Sequence, residues 1–435
     1  MPVSRSLPFC STYCLNSILS LVALLSSAVL TAKDLPVFSP EDVFEIEYAS
    51  DPRVSPDGSQ VAYVRVSMDI MTDRARRAIW VVDTDGTNHR PLVSGQGNFS
   101  SPRWSPSGDR LAYLSNAEGK TQLFVEWLDE GETARVTALP QSPRGIVWSP
   151  DGEQIAFTRL VPTKPPMLAT MPDKPKGATW AEPANVVDKM TFRVDGGGYL
   201  PSGSEQVFVV PAHGGTPRQM TSSNFPISSA ITWSPDSQSI IFSSNRRDDA
   251  EYHPRQSDLF GIALLTGQIT QITNTAGPEG HPVVSPNGRY LAYTQTADIR
   301  QGYNGAKLTI RDLTTGESRA LTTDLDRSVS DIQWSKDSKS LWISYTDLGM
   351  VRVAKIDLRG KLRQSDIVVG GTAIGRPYTS GSFSVGGKGR LAYTLGRDDR
   401  PADVALMRPG RTPLKLTDLN GDLMGQRQMT GAERI

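Results

Sequence analysis

The chain has 435 residues, too many for one ordinary compact core, so it holds either several domains or one ring of repeated units. Its 46 Lys and Arg balance 46 Asp and Glu, and a formal charge of zero gives neither a nucleic-acid backbone nor an anionic bilayer a hold on the whole molecule. The two cysteines, Cys10 and Cys14, sit near the start, which excludes a disulfide framework, a thiol site or a cysteine-built metal centre in the body of the protein.

Residues 1–32 differ from everything after them. Arg5 is the one charge before Lys33, and an apolar run extends from Ile18 to Leu30. That is the pattern of a signal peptide, with cleavage after Ala28 or Ala32, and it predicts a periplasmic or secreted protein. An uncleaved N-terminal anchor is the alternative, disfavoured because the run of about 13 residues is short of the roughly 20 a spanning helix needs. In the segment 33–50, FSPEDVFEIEY predicts a short helix, with Ser39 as cap, Pro40 in the first turn and Glu41 and Asp42 complementing the helix dipole. Val43, Phe44 and Tyr48 then need cover, which packing on the rest of the chain can provide.

From Asp51 onward one string keeps returning: PRVSPDGSQVAYV from Pro52, PRWSPSGDRLAYL from Pro102, GIVWSPDGEQIAFT from Gly145, AITWSPDSQSIIFS from Ala230, HPVVSPNGRYLAYT from His281, DIQWSKDSKSLWIS from Asp331, and a worn SFSVGGKGRLAYT from Ser382. The residue before Ser-Pro marks each copy: Val54, Trp104, Trp148, Trp233, Val284, Trp334 and, in the worn copy, Ser384, at spacings of 50, 44, 85, 51, 50 and 50. A period near 50 indicates a propeller or a similar array. Ser-Pro-Asp-Gly supplies a tight turn, since proline presets φ and glycine accepts a positive one, and the short apolar run after it reads as a buried strand. A second hairpin follows each copy, beginning near Ala78, Gln122, Gln206, Asp258, Lys307, Val351 and Asp403. The predicted fold is therefore all-β: a seven-bladed β-propeller of four-stranded blades over residues 51–420, preceded by the short helix and followed by a linker at 421–435. The marker residue is expected to pack between neighbouring blades.

The spacing of 85 places an insertion in the third blade, at about 160–200. Pro162, Pro165, Pro166, Pro172, Pro175 and Pro183, then Gly196, Gly197 and Gly198, rule out regular helix or central strand through most of it. It reads either as a loop with no task or as a rim segment that touches a second domain or gates a cavity.

Chemistry is sparse. A serine hydrolase needs a nucleophile on a sharp turn, a histidine beside it and an acid to orient that histidine, yet the sequence contains no G-x-S-x-G elbow. Its nearest approach, around Ser384, falls in the marker slot, and no histidine follows His281, so Ser384 reads as structural. His89, His213, His253 and His281 lack zinc-helix spacing, so no metal site is expected. Asp83 and Asp85 fall where each repeat turns between its third and fourth strands, a hairpin turn rather than a calcium loop. Arg246, Arg247, Asp248 and Asp249 read as a solvated loop that a cavity can still use to recognise a charged group. No catalytic, metal or cofactor-binding residue is assigned, and substrate-binding residues are unknown at this level.

The seven SPDG-type hairpins resemble the repeat of the periplasmic Tol-system propeller protein and of the propellers of prolyl oligopeptidase-family serine peptidases. The helix Ser39-Pro40-Glu41-Asp42 running into Asp51-Pro52-Arg53-Val54-Ser55-Pro56-Asp57-Gly58, and the insertion ending Arg193-Val194-Asp195-Gly196-Gly197-Gly198-Tyr199, resemble the bacterial dipeptidyl aminopeptidase and acylaminoacyl-peptidase branch. The resemblance extends from Ser39 to about Ile435. It implies a propeller that filters peptides for an α/β-hydrolase domain carrying a Ser-Asp-His triad. That domain is expected where this sequence stops, so no catalytic residue carries over. The acidic motif that holds a peptide amino terminus in some dipeptidyl peptidases has only a loose echo in Glu126-Trp127-Leu128-Asp129-Glu130. The expectation is thus the non-catalytic propeller portion of an exported serine-type peptidase acting on short peptides, needing no cofactor and prone to self-association through an exposed domain interface. A self-sufficient periplasmic binding or scaffolding propeller is the alternative.

Overall fold

A computed structural model describes residues 35–431 apart from 165, 168, 170, 171, 182, 183, 185, 229, 298–303 and 372–379. The expected export signal, with Cys10 and Cys14, lies outside the described residues, as do Pro165 and Pro183 of the insertion.

Seven four-stranded antiparallel sheets form, each built from strands consecutive in sequence except the third, whose second and third strands are separated by a short two-stranded hairpin. Blade 1 comprises Glu47–Val54, Gln60–Asp69, Arg74–Asp83 and Arg90–Val93; blade 7 comprises Phe383–Val385, Leu391–Arg397, Arg400–Met407 and Leu414–Lys415. First strands of neighbouring blades touch one another, so they surround the axis and the fourth strands form the rim. The apolar clusters lie between blades: Phe157 and Phe208 of blade 3 join Leu123 and Val125 of blade 2, while Val207 and Val209 on the other face of blade 3 join Phe242 and Ile262 of blade 4. A four-stranded sheet buries both faces only by stacking in this way.

The marker residues do more than pack. The indole nitrogen of Trp104 donates to the carbonyl of Arg53 at 2.9 Å, Trp148 to Arg103 at 2.9 Å, Trp233 to Val147 at 3.1 Å and Trp334 to Val283 at 3.0 Å. Each acceptor is the residue before the marker of the preceding blade, so one residue type supplies both apolar contact and a directional bond across the gap. In the turn that follows, the fourth position is left-handed, with φ of +77° at Gly58 and also +59° at Ser237 and +57° at Ser338. Those two serines recover part of the conformational cost, since their hydroxyls accept the N–H of Asp151 at 3.2 Å and of Asn287 at 3.1 Å in the adjacent turn.

A second recurring device had no place in the sequence reading. A threonine just past the fourth strand accepts a buried N–H from the third strand: Thr137 from Leu123, Thr221 from Val207, Thr273 from Leu259, Thr322 from Leu308 and Thr417 from Val404, all at 2.8–2.9 Å. It satisfies a donor that the short fourth strand leaves unpaired.

Blades 1 and 7 share no strand, so side chains and turns close the ring. Ser384 accepts the N–H of Val54 at 3.0 Å, the Gly387 N–H meets the Ser55 carbonyl at 3.2 Å, and Arg390 reaches the Gly58 carbonyl and the Thr84 hydroxyl. Asn420 exchanges two bonds with the backbone of Glu47, at 2.8 and 2.7 Å. The N-terminal helix departs from expectation. It is a 3-10 turn, Glu41–Glu45, entered through Pro40, and Ser39 makes no side-chain cap. Instead Asp42 accepts the Ser39 N–H at 2.8 Å and a two-pronged contact from Arg427 at 2.6 and 2.7 Å. Those bonds hold the Asp42 carboxyl well below the usual range, the Arg427 contact foremost. A short helix, Gly421–Met424, precedes Arg427 within the stretch read from sequence as linker.

Between blades 4 and 5 the first strand Glu279–Val284 starts with a buried carboxylate, in the slot that Ala49, Phe99 and Val329 fill in blades 1, 2 and 6. Thr275 donates to Glu279 at 2.6 Å, and Thr273 donates to its other oxygen. Burial pushes the Glu279 carboxyl up, only partly offset by the two hydroxyls. A folded-state pKa above the unfolded one means that the folded protein keeps a proton the unfolded chain has lost, so stability falls as pH rises through that window. Glu279→Gln is expected to raise the thermal midpoint near neutral pH, with the gain vanishing below the ordinary carboxylate range. Melting curves of both proteins across pH check this; a pH-independent difference refutes it.

Candidate functional site: the insertion face and the axis

In a meander of this kind the turn after each first strand lies at one end of the ring, and the turn after each second strand lies at the other. The insertion, the Arg246 loop and both chain ends therefore share one face. The second and third strands of blade 3, Gln154–Pro162 and Gly203–Pro211, pair along their whole length to Pro162 opposite Gly203, so the insertion is the elongated tip of a hairpin. Within it, among the described residues, only Arg193–Val194 and Gly198–Tyr199 pair, around a turn with φ of +75° at Gly196, and the Phe192 and Tyr199 rings face each other at 6.2 Å. The rest of its described residues hold no helix or strand, in keeping with their proline and glycine.

The same face carries the exposed apolar side chains. Tyr199 is 61% exposed, Met71 87%, Leu348 74% and Tyr252 76%, and Val37, Val43, Ile70, Met190 and Phe192 accompany them. Among the described residues, every exposed large hydrophobic lies on this face except Leu265 and Leu313. Scattered single residues need no explanation, whereas their segregation makes this face the candidate interaction surface. Phe44 and Tyr48 are half-buried, so of the three N-terminal side chains only Val43 stays outside the packing.

At the axis the first strands are bulged three residues before the marker. Asp51, Ser101 and His281 hold φ of +48°, +55° and +52° there, and Gly145 and Gly381 take the same left-handed region. Asp51 lies between two guanidiniums, 2.8 Å from Arg103 and 2.7 Å from Arg53. Burial pushes the Asp51 carboxyl up, but the two arginines outweigh it and hold it below the usual range. A cleft of about 320 Å³ opens at the seam, lined by Glu45, Glu47, Asp422 and Arg427 among others.

The sequence-selected residues scatter over these surfaces. Ser384 is buried in the seam between blades 7 and 1, bonded as the structural reading requires. His89 bonds the Tyr63 phenol at 2.7 Å beside Trp80, and His253 faces Asp249 at 3.3 Å, while His213 stands in the exposed third-to-fourth-strand turn of blade 3. Asp83 and Asp85 form the hairpin turn, where Asp85 accepts the N–H of Thr87 at 2.9 Å. Glu126 and Trp127 end a third strand, and Asp129 and Glu130 turn toward the face opposite the insertion. Arg247 pairs with Asp249 at 3.0 Å in solvent, but Arg246 folds back over the Phe225 and Phe260 rings, 5.0 and 5.6 Å from their centroids. Among the described residues no helix is long and apolar enough to cross a membrane.

Known proteins match this arrangement. Residues 58–165 match the TolB beta propeller domain model, and residues 180–298 match the Dipeptidyl peptidase IV N-terminal region model. Dipeptidyl-peptidase 5 of Porphyromonas gingivalis is 25% identical over 341 residues, covering 75% of this chain and 49% of that protein. The uncharacterized peptidase YuxL of Bacillus subtilis is 26% identical over 413 residues, covering 91% of this chain and 60% of that one. The acylaminoacyl peptidase of Pyrococcus horikoshii superposes with a TM-score of 0.69 at 17% identity, over 90% of this chain and 55% of its own. The chain thus spans about half the length of the relatives it matches, and it is related to their propeller portion.

Proposed function

We propose, from this kinship with the propeller portion of dipeptidyl and acylaminoacyl peptidases, that the chain is the substrate-gating propeller of an exported serine-type peptidase acting on short peptides. It is not catalytic by itself. Residues 1–32 serve as an export signal to the periplasm or the medium, 33–50 as an N-terminal helical segment, 51–420 as the propeller, and 421–435 lead toward an α/β-hydrolase domain. The observation that carries this reading is the segregation of exposed apolar side chains to the face bearing the insertion and both chain ends, where such a domain would rest.

The test is the association state of the chain alone. Concentration-dependent self-association is expected in sedimentation, relieved by the loop substitutions Ile70→Ser, Met71→Ser and Leu348→Ser, which touch no core residue. A monomer indifferent to those changes refutes the docking face. It would favour a self-sufficient TolB-like binding propeller, a reading supported by the match over residues 58–165.

A further inference from the structure

Three arginines occupy corresponding slots around the ring, and one of them shows what the other two lack. Tyr63, Phe157 and Phe242 lie nine residues after their markers, and each stands opposite an aromatic residue of the third strand: Trp80, Phe208 and Phe260. An arginine of the second strand, or just beyond it, covers that ring in each case. Arg65 lies 4.3 Å from the Trp80 centroid, Arg159 4.4 Å from Phe208 and Arg246 5.6 Å from Phe260. In blade 1 the guanidinium is neutralised, because Arg65 bonds the Glu47 carboxylate.

In blades 3 and 4 the cation has no such partner. Among the described residues Arg159 reaches only the side-chain oxygen of Gln141, at 3.1 Å, and its Nε is buried without an acceptor. Arg246 reaches the Ser223 hydroxyl at 3.4 Å and the Phe225 ring. Gln141 and Phe225 correspond, each four residues past the capping threonines Thr137 and Thr221, so the two sites are one design repeated in adjacent interblade grooves. Among the described residues neither arginine forms an ion pair. Burial pulls both guanidiniums below the usual arginine range, with no carboxylate to restore them. A half-buried cation without an anion is costly, and stacking on phenyl faces offsets only part of that cost.

We infer that Arg159 and Arg246 form a pair of carboxylate-binding sites flanking blade 3 at the insertion face, which take the acidic groups of a peptide. Guanidinium geometry suits a carboxylate, which accepts two parallel N–H bonds, and an aromatic floor holds the fork in place. This inference does not rest on the docking of a second domain.

The experiment uses this chain and two probes, acetyl-Glu-Gly-Gly-Glu with a free C-terminus and acetyl-Gln-Gly-Gly-Gln amide, in titrations followed by saturation-transfer NMR. Binding of the acidic peptide is expected to be at least about tenfold tighter than that of the neutral one, and to weaken at least about tenfold in both Arg159→Met and Arg246→Met, which keep the apolar stem on the ring. Arg65→Met, whose cation is already paired, should leave binding unchanged. Equal binding of the two peptides, or acidic binding indifferent to both substitutions, overturns the inference. So does the absence of binding by either peptide, which would point to a docked domain as the source of the anion.

Discussion

Gly387→Ala is expected to lower the stability of the chain by at least about 3 kcal/mol and to open the ring at one place, between blades 1 and 7. A Cβ at Gly387 would lie 2.4 Å from the Gly58 nitrogen, 2.4 Å from the Pro56 carbonyl oxygen and 2.5 Å from the Asp57 carbonyl carbon. All three are backbone atoms of the blade 1 turn, so no rotamer change relieves the overlap and the two turns must separate. Gly386 is held as closely, its Cβ position 2.4 Å from that of Val54. Since no strand crosses this seam, the turns, Ser384 and Arg390 carry much of its closure, and the bonds to Ser55, Gly58 and Thr84 go with them. Denaturant unfolding, with hydrogen exchange read in Glu47–Val54 and Leu391–Arg397, checks the prediction; Gly431→Ala, where nothing lies within 4 Å, is the control. Stability within about 0.5 kcal/mol of the parent would show that the seam yields without cost.

That close approach also explains what the sequence made plain and what it hid. Six copies of the repeat keep Ser-Pro or its near equivalent because each turn meets a similar neighbour. The seventh reads SVGGKG, and from the string alone it looks merely eroded. In space it is the copy whose turn presses on the first turn of blade 1, where two glycines are the only residues that fit and Lys388 takes the left-handed slot at φ +58°. The blade count and strand order followed from turn chemistry and a period near 50, both of which are local. The threonine caps recur as plainly, after an apolar residue in Val136-Thr137, Met220-Thr221, Ile272-Thr273, Leu321-Thr322 and Leu416-Thr417. They went unread because a lone threonine carries no turn or strand signal of its own.

The paired arginines were harder still. Arg159 lies 11 residues after its marker and Arg246 13 after its own, so no fixed spacing relates them, and their equivalence appears only through the ring each one covers. The sequence grouped Arg246 with Arg247, Asp248 and Asp249 as solvated charge. The fold separates Arg246 from that group, because a strand end that approaches an interblade groove turns alternate side chains inward. The apolar face is likewise invisible in one dimension: Met71, Tyr199, Tyr252 and Leu348 lie in four different loops that come together only because every second-to-third-strand turn points the same way.

No serine of this chain is expected to react with a fluorophosphonate, and no peptide substrate to be cleaved, because covalent catalysis requires a hydroxyl with a base in reach. Loss of the nucleophile or the base from such a site costs on the order of 10⁶ in turnover, so an unactivated serine and a catalytic one differ by far more than any assay error. Ser384, the nearest approach to a nucleophile elbow, is 4% exposed, and its oxygen is engaged by the Val54 N–H at 3.0 Å. It sits on the first strand of blade 7, against blade 1, where an electrophile has no route to it. The histidines offer no substitute: His89 is spent on a tyrosine hydroxyl at 2.7 Å and His253 faces an aspartate at 3.3 Å on an exposed loop. Residues 33–435, the chain without the proposed export signal, are the material for the test. Incubation of those residues with a fluorophosphonate probe, followed by peptide mapping, is expected to show no labelled serine above the heat-denatured control. A single stoichiometric label, mapped to one serine and abolished by its replacement with alanine, would mean that the propeller holds a nucleophile of its own.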